Sequence, residues 1–417
     1  ISLFTVMSKK RNSILRAKSL FSVLVAVFSL MGCAGSESGG YEVIDIEKGM
    51  DQSLPEFMVQ DYFADIQYVP LETNDSSLIG DQPDVTVLNG VLLVSSVNQP
   101  LKAFDRITGK YLQEIGHIGN DPEGYAKDSW GKINYWVDAE GGKIYFLGWN
   151  NDFQLYDLDG SYLGKLQMPA DGDFNIAQNY FLMDADTIWG HNKLRLSESA
   201  PSVFYIHGKT PQVTGIHSWA SALLPMDEVV SLSNLLGGYV AHGGDLQMVE
   251  LAGGRKYYTA INSPSLWRQG GSVRLKQAFN DTLYTVSDGG LMPYKVVNLG
   301  KWHWPENESF RVDGCKNRIY IDYVLENDRY FYFHFQTGLY TKTAKSYCAF
   351  YDKEKAAVSV ASSDQLLERL HNQPLQIRNR ATDGSFIALL TPDKLSAEAK
   401  EKLGVDEEDN PIVVVLK

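Results

Sequence analysis

Trp302, His303 and Trp304 stand in a row, a titratable imidazole between two indoles. A second grouping, Gly148-Trp149-Asn150-Asn151-Asp152-Phe153, sets two amides and a carboxylate beside another indole. Trp130 and Trp267 add two more indoles in segments rich in Gly, Ser and Pro. These types suit recognition better than bond-making. An indole offers flat apolar area and one N–H donor, suited to stacking on a sugar ring or gripping a peptide, and amides and carboxylates can fix the orientation of such a ligand. The competing reading is that such indoles wedge between packed elements. His117, His191, His242 and His303 are scattered along the chain, and of these His303 is the candidate. Asp157-Leu158-Asp159-Gly160 has calcium-like spacing, but no Glu follows at the twelfth position and the segment reads as a turn, so it is structural. The chain has no G-x-S-x-G, H-E-x-x-H or P-loop, and no C-x-x-C or Cys/His pattern of zinc spacing. No catalytic residue, metal or cofactor is therefore assigned.

The N-terminus speaks of address. Lys9, Lys10, Arg11, Arg16 and Lys18 form a basic region ahead of the twelve-residue apolar run Ser19 to Leu30, too short to span a bilayer comfortably and right for a signal segment. Met7 reads as the start. The run ends in Leu30-Met31-Gly32-Cys33, which is similar to a bacterial lipobox, so Cys33 is expected to carry lipid after removal of residues 1–32, with 33–40 as a flexible tether. That removal takes five basic groups and no acidic one, leaving 33 basic against 51 acidic residues and a net charge of −18. Such a chain repels phosphate backbones, which argues against a nucleic-acid partner. The other cysteines, Cys315 and Cys348, are compatible with one disulfide or with two buried thiols.

These residues must be positioned by elements, and the elements repeat. Leu101 to Phe104, a turn at Asp105 to Lys110, and Tyr111 to Gly116 read as a hairpin. The pattern returns at Phe153 to Leu166, at Ser202 to Ile216 and at Tyr347 to Ala361. In three of the four an aromatic precedes Asp: Phe104-Asp105, Tyr156-Asp157 and Tyr351-Asp352. That Asp can accept from backbone N–H groups of the turn, with Gly109 or Gly160 supplying a positive φ. Each hairpin follows another strand pair, at Asn89-Gly90 and at Gly141-Gly142 in the first two units. The period, 52 residues from Phe104 to Tyr156 and 50 from Tyr156 to Ile206, with four short strands per unit, predicts an all-β, six-bladed β-propeller over 41–417.

The remaining blades follow with less help from spacing. The 145 residues from Ile206 to Tyr351 hold two periods plus insertions, including a short helix expected near Ser218 to Gly238. Blade 4 is assigned 238–243, 246–260, 282–287 and 294–299, and blade 5 is assigned 318–324, 329–335, 347–352 and 356–361. Gly384 to Leu390 and Pro411 to Lys417 combine with Tyr41 to Ile46 and Ile66 to Glu72 into a sixth blade shared by both termini, which leaves no open edge at the junction. A helix within Thr391 to Gly404 takes Thr391 as N-cap and Gly404 as C-cap.

The motifs Tyr68-Val-Pro-Leu-Glu-Thr73, Phe104 to Tyr125, Phe279 to Gly300 and Asn410 to Lys417 resemble the six-bladed propeller lipoproteins of gut-dwelling Gram-negative bacteria, distant relatives of NHL-repeat propellers. Where that family commonly reads G-x-G-P-G-E-Y, this chain reads Asn120-Asp121-Pro122-Glu123-Gly124-Tyr125. The resemblance implies the fold and a cell-envelope address, in the periplasm or at the surface of the outer membrane, and no defined reaction. Propeller topology then gathers Trp130, Trp149, Trp219, Trp267, Trp302 and Trp304 onto loops of one face. Three functions remain open. The first is a binding module for a glycan, glycopeptide or envelope protein, with Trp130, Trp149, Asn150, Asp152, Trp267, Trp302, His303 and Trp304 as its candidate contacts. The second is a metal-assisted lyase or hydrolase using the central channel, and the third is a scaffold subunit of an uptake complex.

Overall fold

The computed structural model describes residues 41–417 apart from 129, 169–175, 177–178, 186, 193–200, 208–212, 217–228, 237–244, 255, 261–264, 288, 306–316, 340 and 369–372. The leader and tether with Cys33, as well as Trp219, His242 and Cys315, lie outside the described residues.

The chain enters through β1 (Glu42–Asp45), helix α1 (Ile46–Asp51), β2 (Phe57–Met58) and β3 (Ile66–Pro70). Blade 1 follows as β4 (Asp84–Leu88), β5 (Val91–Ser95), β6 (Leu101–Asp105) and β7 (Tyr111–Ile115). Blade 2 is β8 (Tyr135–Asp138), β9 (Lys143–Leu147), β10 (Asp152–Asp157) and β11 (Tyr162–Gln167). Blade 3 is β12 (Asn179–Asp184), β13 (Thr187–Asn192), β14 (Val203–His207) and β15 (Val213–Ile216). The Asp turns behave as expected. Asp105 accepts from the N–H groups of Ile107 and Thr108, Asp157 from Ser161, and Asp352 from Glu354 and Lys355.

Blade 4 departs from the expected strands. A separate three-stranded sheet precedes it, β16 (Val229–Leu236), β17 (Asp245–Leu251) and β18 (Lys256–Ala260), so Val229–Leu236 is a strand within the segment expected to hold a short helix and a loop. The blade itself is β19 (Leu266–Gln269), β20 (Ser272–Lys276), β21 (Thr282–Ser287) and β22 (Gly290–Asn298). Its first hairpin turns at Gly270 and Gly271, both at positive φ (56° and 76°), the two-residue turn that matches strand twist. Blade 5 is β23 (Ile319–Glu326), β24 (Tyr330–Thr337), β25 (Lys345–Asp352) and β26 (Ala357–Ser362), as expected within two residues. Cys348 in β25 is a free, fully buried thiol.

Between blades 5 and 6, β27 (Leu366–Glu368) and β28 (Gln373–Pro374) form a small sheet with β2. Blade 6 runs β29 (Gln376–Arg380), β30 (Phe386–Leu390), β31 (Ile412–Leu416) and, outermost, the N-terminal β3. The shared closing blade is real, but its membership needs correction. Gln376–Arg380 supplies the inner strand, and Glu42–Asp45 pairs in parallel with β22 on the outer edge of blade 4. Glu42 is held there by Lys295 and by the Tyr351 hydroxyl. The helix inserted before β31, α2 (Ala397–Leu403), is capped by the Ser396 side chain, which accepts from Ala399 N–H, and by left-handed Gly404. Thr391 instead precedes a 3₁₀ turn at Pro392–Lys394.

Six apolar clusters account for the ring, one at each interface between neighbouring blades among the described residues. The one that closes it packs Ile387, Val413 and Val415 of blade 6 on Val85, Leu92 and Phe104 of blade 1. Backbones approach closely at that junction: the carbonyl of Gly109 (φ +69°) accepts from Glu72 N–H, and a Cβ on Gly109 would lie 1.9 Å from the Pro70 carbonyl oxygen. The N-terminal stretch thus follows the rim from the edge of blade 4, past blade 5 and onto blade 6.

Candidate functional site in the central channel

The inner strand of every blade faces the axis. Side chains of β4, β8, β12, β19, β23 and β29, with the turns that flank them, enclose a cavity of about 900 Å³. Its wall mixes rings with ions: Tyr135, Trp136, Tyr180 and Trp267 stand among Asp84, Asp184, Glu326, Arg268, Arg378 and Arg380. Alternation along a strand usually sends one residue in two to a given face. Here runs of consecutive residues line the cavity in most inner strands, Arg378, Asn379 and Arg380 of β29 among them, and β29 carries a bulge between Ile377 and Asn379.

The rings are held by specific partners. Trp267 Nε1 donates to Glu326 Oε2 at 2.7 Å, and the Tyr135 hydroxyl meets Thr86 Oγ1 at 3.2 Å. Trp136 packs edge-to-face on Phe153 and Phe181. Burial pushes the Tyr180 phenol up to about 12 and raises Tyr135 as well, so both stay neutral and able to donate at physiological pH. Burial also raises the Asp84 carboxyl, against the pull of the Arg378 guanidinium, which lowers it. Glu326, wholly buried, is engaged by Lys353 Nζ at 2.7 Å, and Arg268 pairs with Asp184. Among the described residues no three His, Cys, Asp or Glu side chains converge as a metal-binding set.

Comparison with known proteins agrees with this architecture. Residues 41–417 match the family described as Domain of unknown function (DUF4934). The chain belongs to this family. Its propeller is similar to the crystal structure of an exported protein from Bacteroides fragilis NCTC 9343, with 16% identity over 90% of this chain and 99% of that one, and a TM-score of 0.59. Weaker likenesses are to the extracellular domain of a one-component system from B. thetaiotaomicron (11% identity, 84% of this chain and 40% of that one, TM-score 0.34) and to BamB from Moraxella catarrhalis (10%, 80% and 82%, 0.32). No curated protein sequence matches the chain.

For this DUF4934 member the structure disperses the expected contact residues. Trp130 and Trp149 are about half exposed on the expected face, in the connection from β7 to β8 and from β9 to β10. Trp149 donates from Nε1 to the Gly119 carbonyl. Asn150 is exposed, and its carbonyl accepts from Gln167 Nε2. Asp152 is buried in β10, with Lys165 Nζ 3.8 Å away, so it faces away from any ligand on the loops. Trp267 is a correction: it lies in β19, on the channel wall, where a loop was expected. Trp302 is part-buried against the core between blades 4 and 5, and Trp304 is 2% exposed against Phe279 and Tyr320. These two are packing residues. His303 meets Asp281 through Nδ1; nearby burial raises that carboxyl and lowers the Lys276 ammonium to about 8. The loop Gly116 to Tyr125 is a knot of internal bonds: His117 pairs with Asp121, and Tyr156 and Tyr162 donate to the Glu123 and Pro122 carbonyls. It staples blade 1 to blade 2.

Sequence reading missed Tyr135, Tyr180, Arg268, Arg378 and Arg380. The signal that finds them is register. Once four strands per period are assigned, the first strand of each lines the axis, and its residues can be read across six blades.

Proposed function

We propose that this protein is a lipid-anchored envelope module that takes a carbohydrate, or the sugar part of a glycopeptide, into its central channel and performs no chemistry on it. The observation that carries this reading is the channel wall, where Trp136, Trp267, Tyr135 and Tyr180 stand beside carboxylates and guanidinium groups in a cavity of about 900 Å³. Stacking faces next to paired hydrogen-bonding groups are what a sugar ring, apolar on one face and hydroxylated at its rim, requires. Binding to a glycan array, followed by titration with tryptophan fluorescence, tests it. Stacking contributes about 0.5–1.5 kcal/mol beyond burial, so Trp267→Phe, which keeps a smaller ring and loses the indole donor to Glu326, is expected to weaken binding several-fold in a protein that stays folded, with a lower melting temperature from the lost hydrogen bond. A protein that binds no glycan, and co-purifies instead with an envelope protein, would overturn the carbohydrate assignment in favour of a scaffold.

The anchor is the second part of the reading. The basic segment, the apolar run and Leu30-Met31-Gly32-Cys33 support lipid on Cys33, and the exported Bacteroides protein of similar fold supports an envelope address. Cys33→Ala is expected to move the protein from the membrane pellet to the soluble fraction. A mutant that pellets like the wild type would remove the anchor from the proposal.

A further inference from the structure

Among the described residues, no carboxylate is hydrogen-bonded to either of two cations of the channel wall, Arg378 and Arg380. Arg378 donates from Nη1 to the Pro83 carbonyl (3.2 Å) and from Nη2 to Gln376 Oε1 (3.0 Å), and Arg380 donates from Nη1 to the Arg268 carbonyl (2.9 Å). All three acceptors are neutral. The Nε of each guanidinium is buried with no hydrogen-bond partner among the described residues. In a chain with 51 acidic residues against 38 basic ones, that is the unusual circumstance.

The carboxylates that act on these arginines are otherwise occupied. Glu326 is bonded by Lys353 and Trp267, Asp383 by Arg106 at 2.8 Å, and Asp328 accepts from Gln269 Nε2 at 2.6 Å. Asp84 acts on Arg378 by charge alone, with burial raising its carboxyl, and burial lowers Arg380 itself. Two partly desolvated guanidinium groups line one cavity, and an anion entering it offsets the cost of that desolvation. The planar fork of a guanidinium matches the two oxygens of a carboxylate or a phosphate, and of these the carboxylate is the common anionic group of a sugar ring.

We infer that the ligand of the central channel bears a carboxylate, as in a uronic acid, and that Arg378 and Arg380 receive it. This rests on the reading of the channel as a carbohydrate site and narrows the sugar to an acidic one. The alternative role for these side chains is bracing, since Arg378 reaches the carbonyl before blade 1 and Arg380 reaches across to blade 4.

Calorimetry with digalacturonate and with its carboxyl-reduced, neutral counterpart separates the two roles. The acidic disaccharide is expected to bind roughly tenfold or more tightly than the neutral one, with the preference weakening as salt is raised. Arg380→Met and Arg378→Met should each cut the preference, the double variant should abolish it, and Arg380→Lys, which keeps charge but not the fork, should restore part of it. Equal affinity for the two sugars, or a preference that survives in the folded double variant, would overturn the inference while leaving the carbohydrate reading intact. If neither sugar binds, the carbohydrate reading falls. The anion site then stands only if succinate raises the melting temperature of the wild type and not of the double variant, and falls with it otherwise.

Discussion

Removal of Pro411–Lys417 should abolish the cooperative unfolding transition of the whole domain rather than lower its midpoint. β31 lies between β30 and β3, bonded on both sides, so its loss orphans two ladders of backbone groups at once. All five of its residues, Ile412, Val413, Val414, Val415 and Leu416, are fully buried, and they feed the clusters on both sides of blade 6. Burial of side chains of this kind contributes about 1.5–3 kcal/mol each, so the strand carries an amount comparable to the roughly 5–15 kcal/mol net stability of a typical domain. Calorimetry of the truncated chain is the measurement. A single transition at the wild-type temperature would show that the ring closes without this strand.

The second large effect separates two indoles on the same face of the ring. Trp304→Ala is expected to cost roughly 3–5 kcal/mol, as aromatic truncation in a packed core does, because the ring is 2% exposed and packed on Phe279 and Tyr320. Trp149→Ala should cost only about 1 kcal/mol, the worth of one hydrogen bond to the Gly119 carbonyl, since the ring is 49% exposed. Denaturant midpoints of the two variants give the difference directly. Equal midpoints would mean that Trp304 is not the wedge its burial describes.

The architecture was legible where local chemistry repeats. The Asp-led turn needs only a carboxylate, two or three N–H groups and a residue tolerant of positive φ, all within six positions, so blades 1, 2 and 5 declare themselves. Blade 4 was misplaced because 246–260 reads as blade strands, although it belongs to the separate sheet. Nothing local says that this sheet stands apart, although the Gly270-Gly271 turn marks the true first hairpin. Blade 6 was half legible, since Gln376–Arg380 is polar and reads as a loop until its partner β30 is known. The channel was hidden for a different reason. Its wall takes a few residues from each of six segments spaced along the chain, and runs of neighbours within a segment contribute together, so no periodicity marks them. Indoles drew the reading to the loops, yet the loops hold two of them as packing and the channel holds two more.

The rim-hugging N-terminal stretch has a mechanical consequence. A pull applied at Tyr41 meets β1 on blade 4 first, where four residues pair with β22 and Glu42 is clamped by Lys295 and Tyr351. If β1 yields, α1 and then β2 on the small sheet beside blade 5 take the load, and only after them does it arrive at β3, the strand that completes the ring. Tension along the chain is therefore spent in sequence on attachments whose loss leaves the toroid shut. The propeller carries its own strain relief, wound over three blades between the point of traction and the seam.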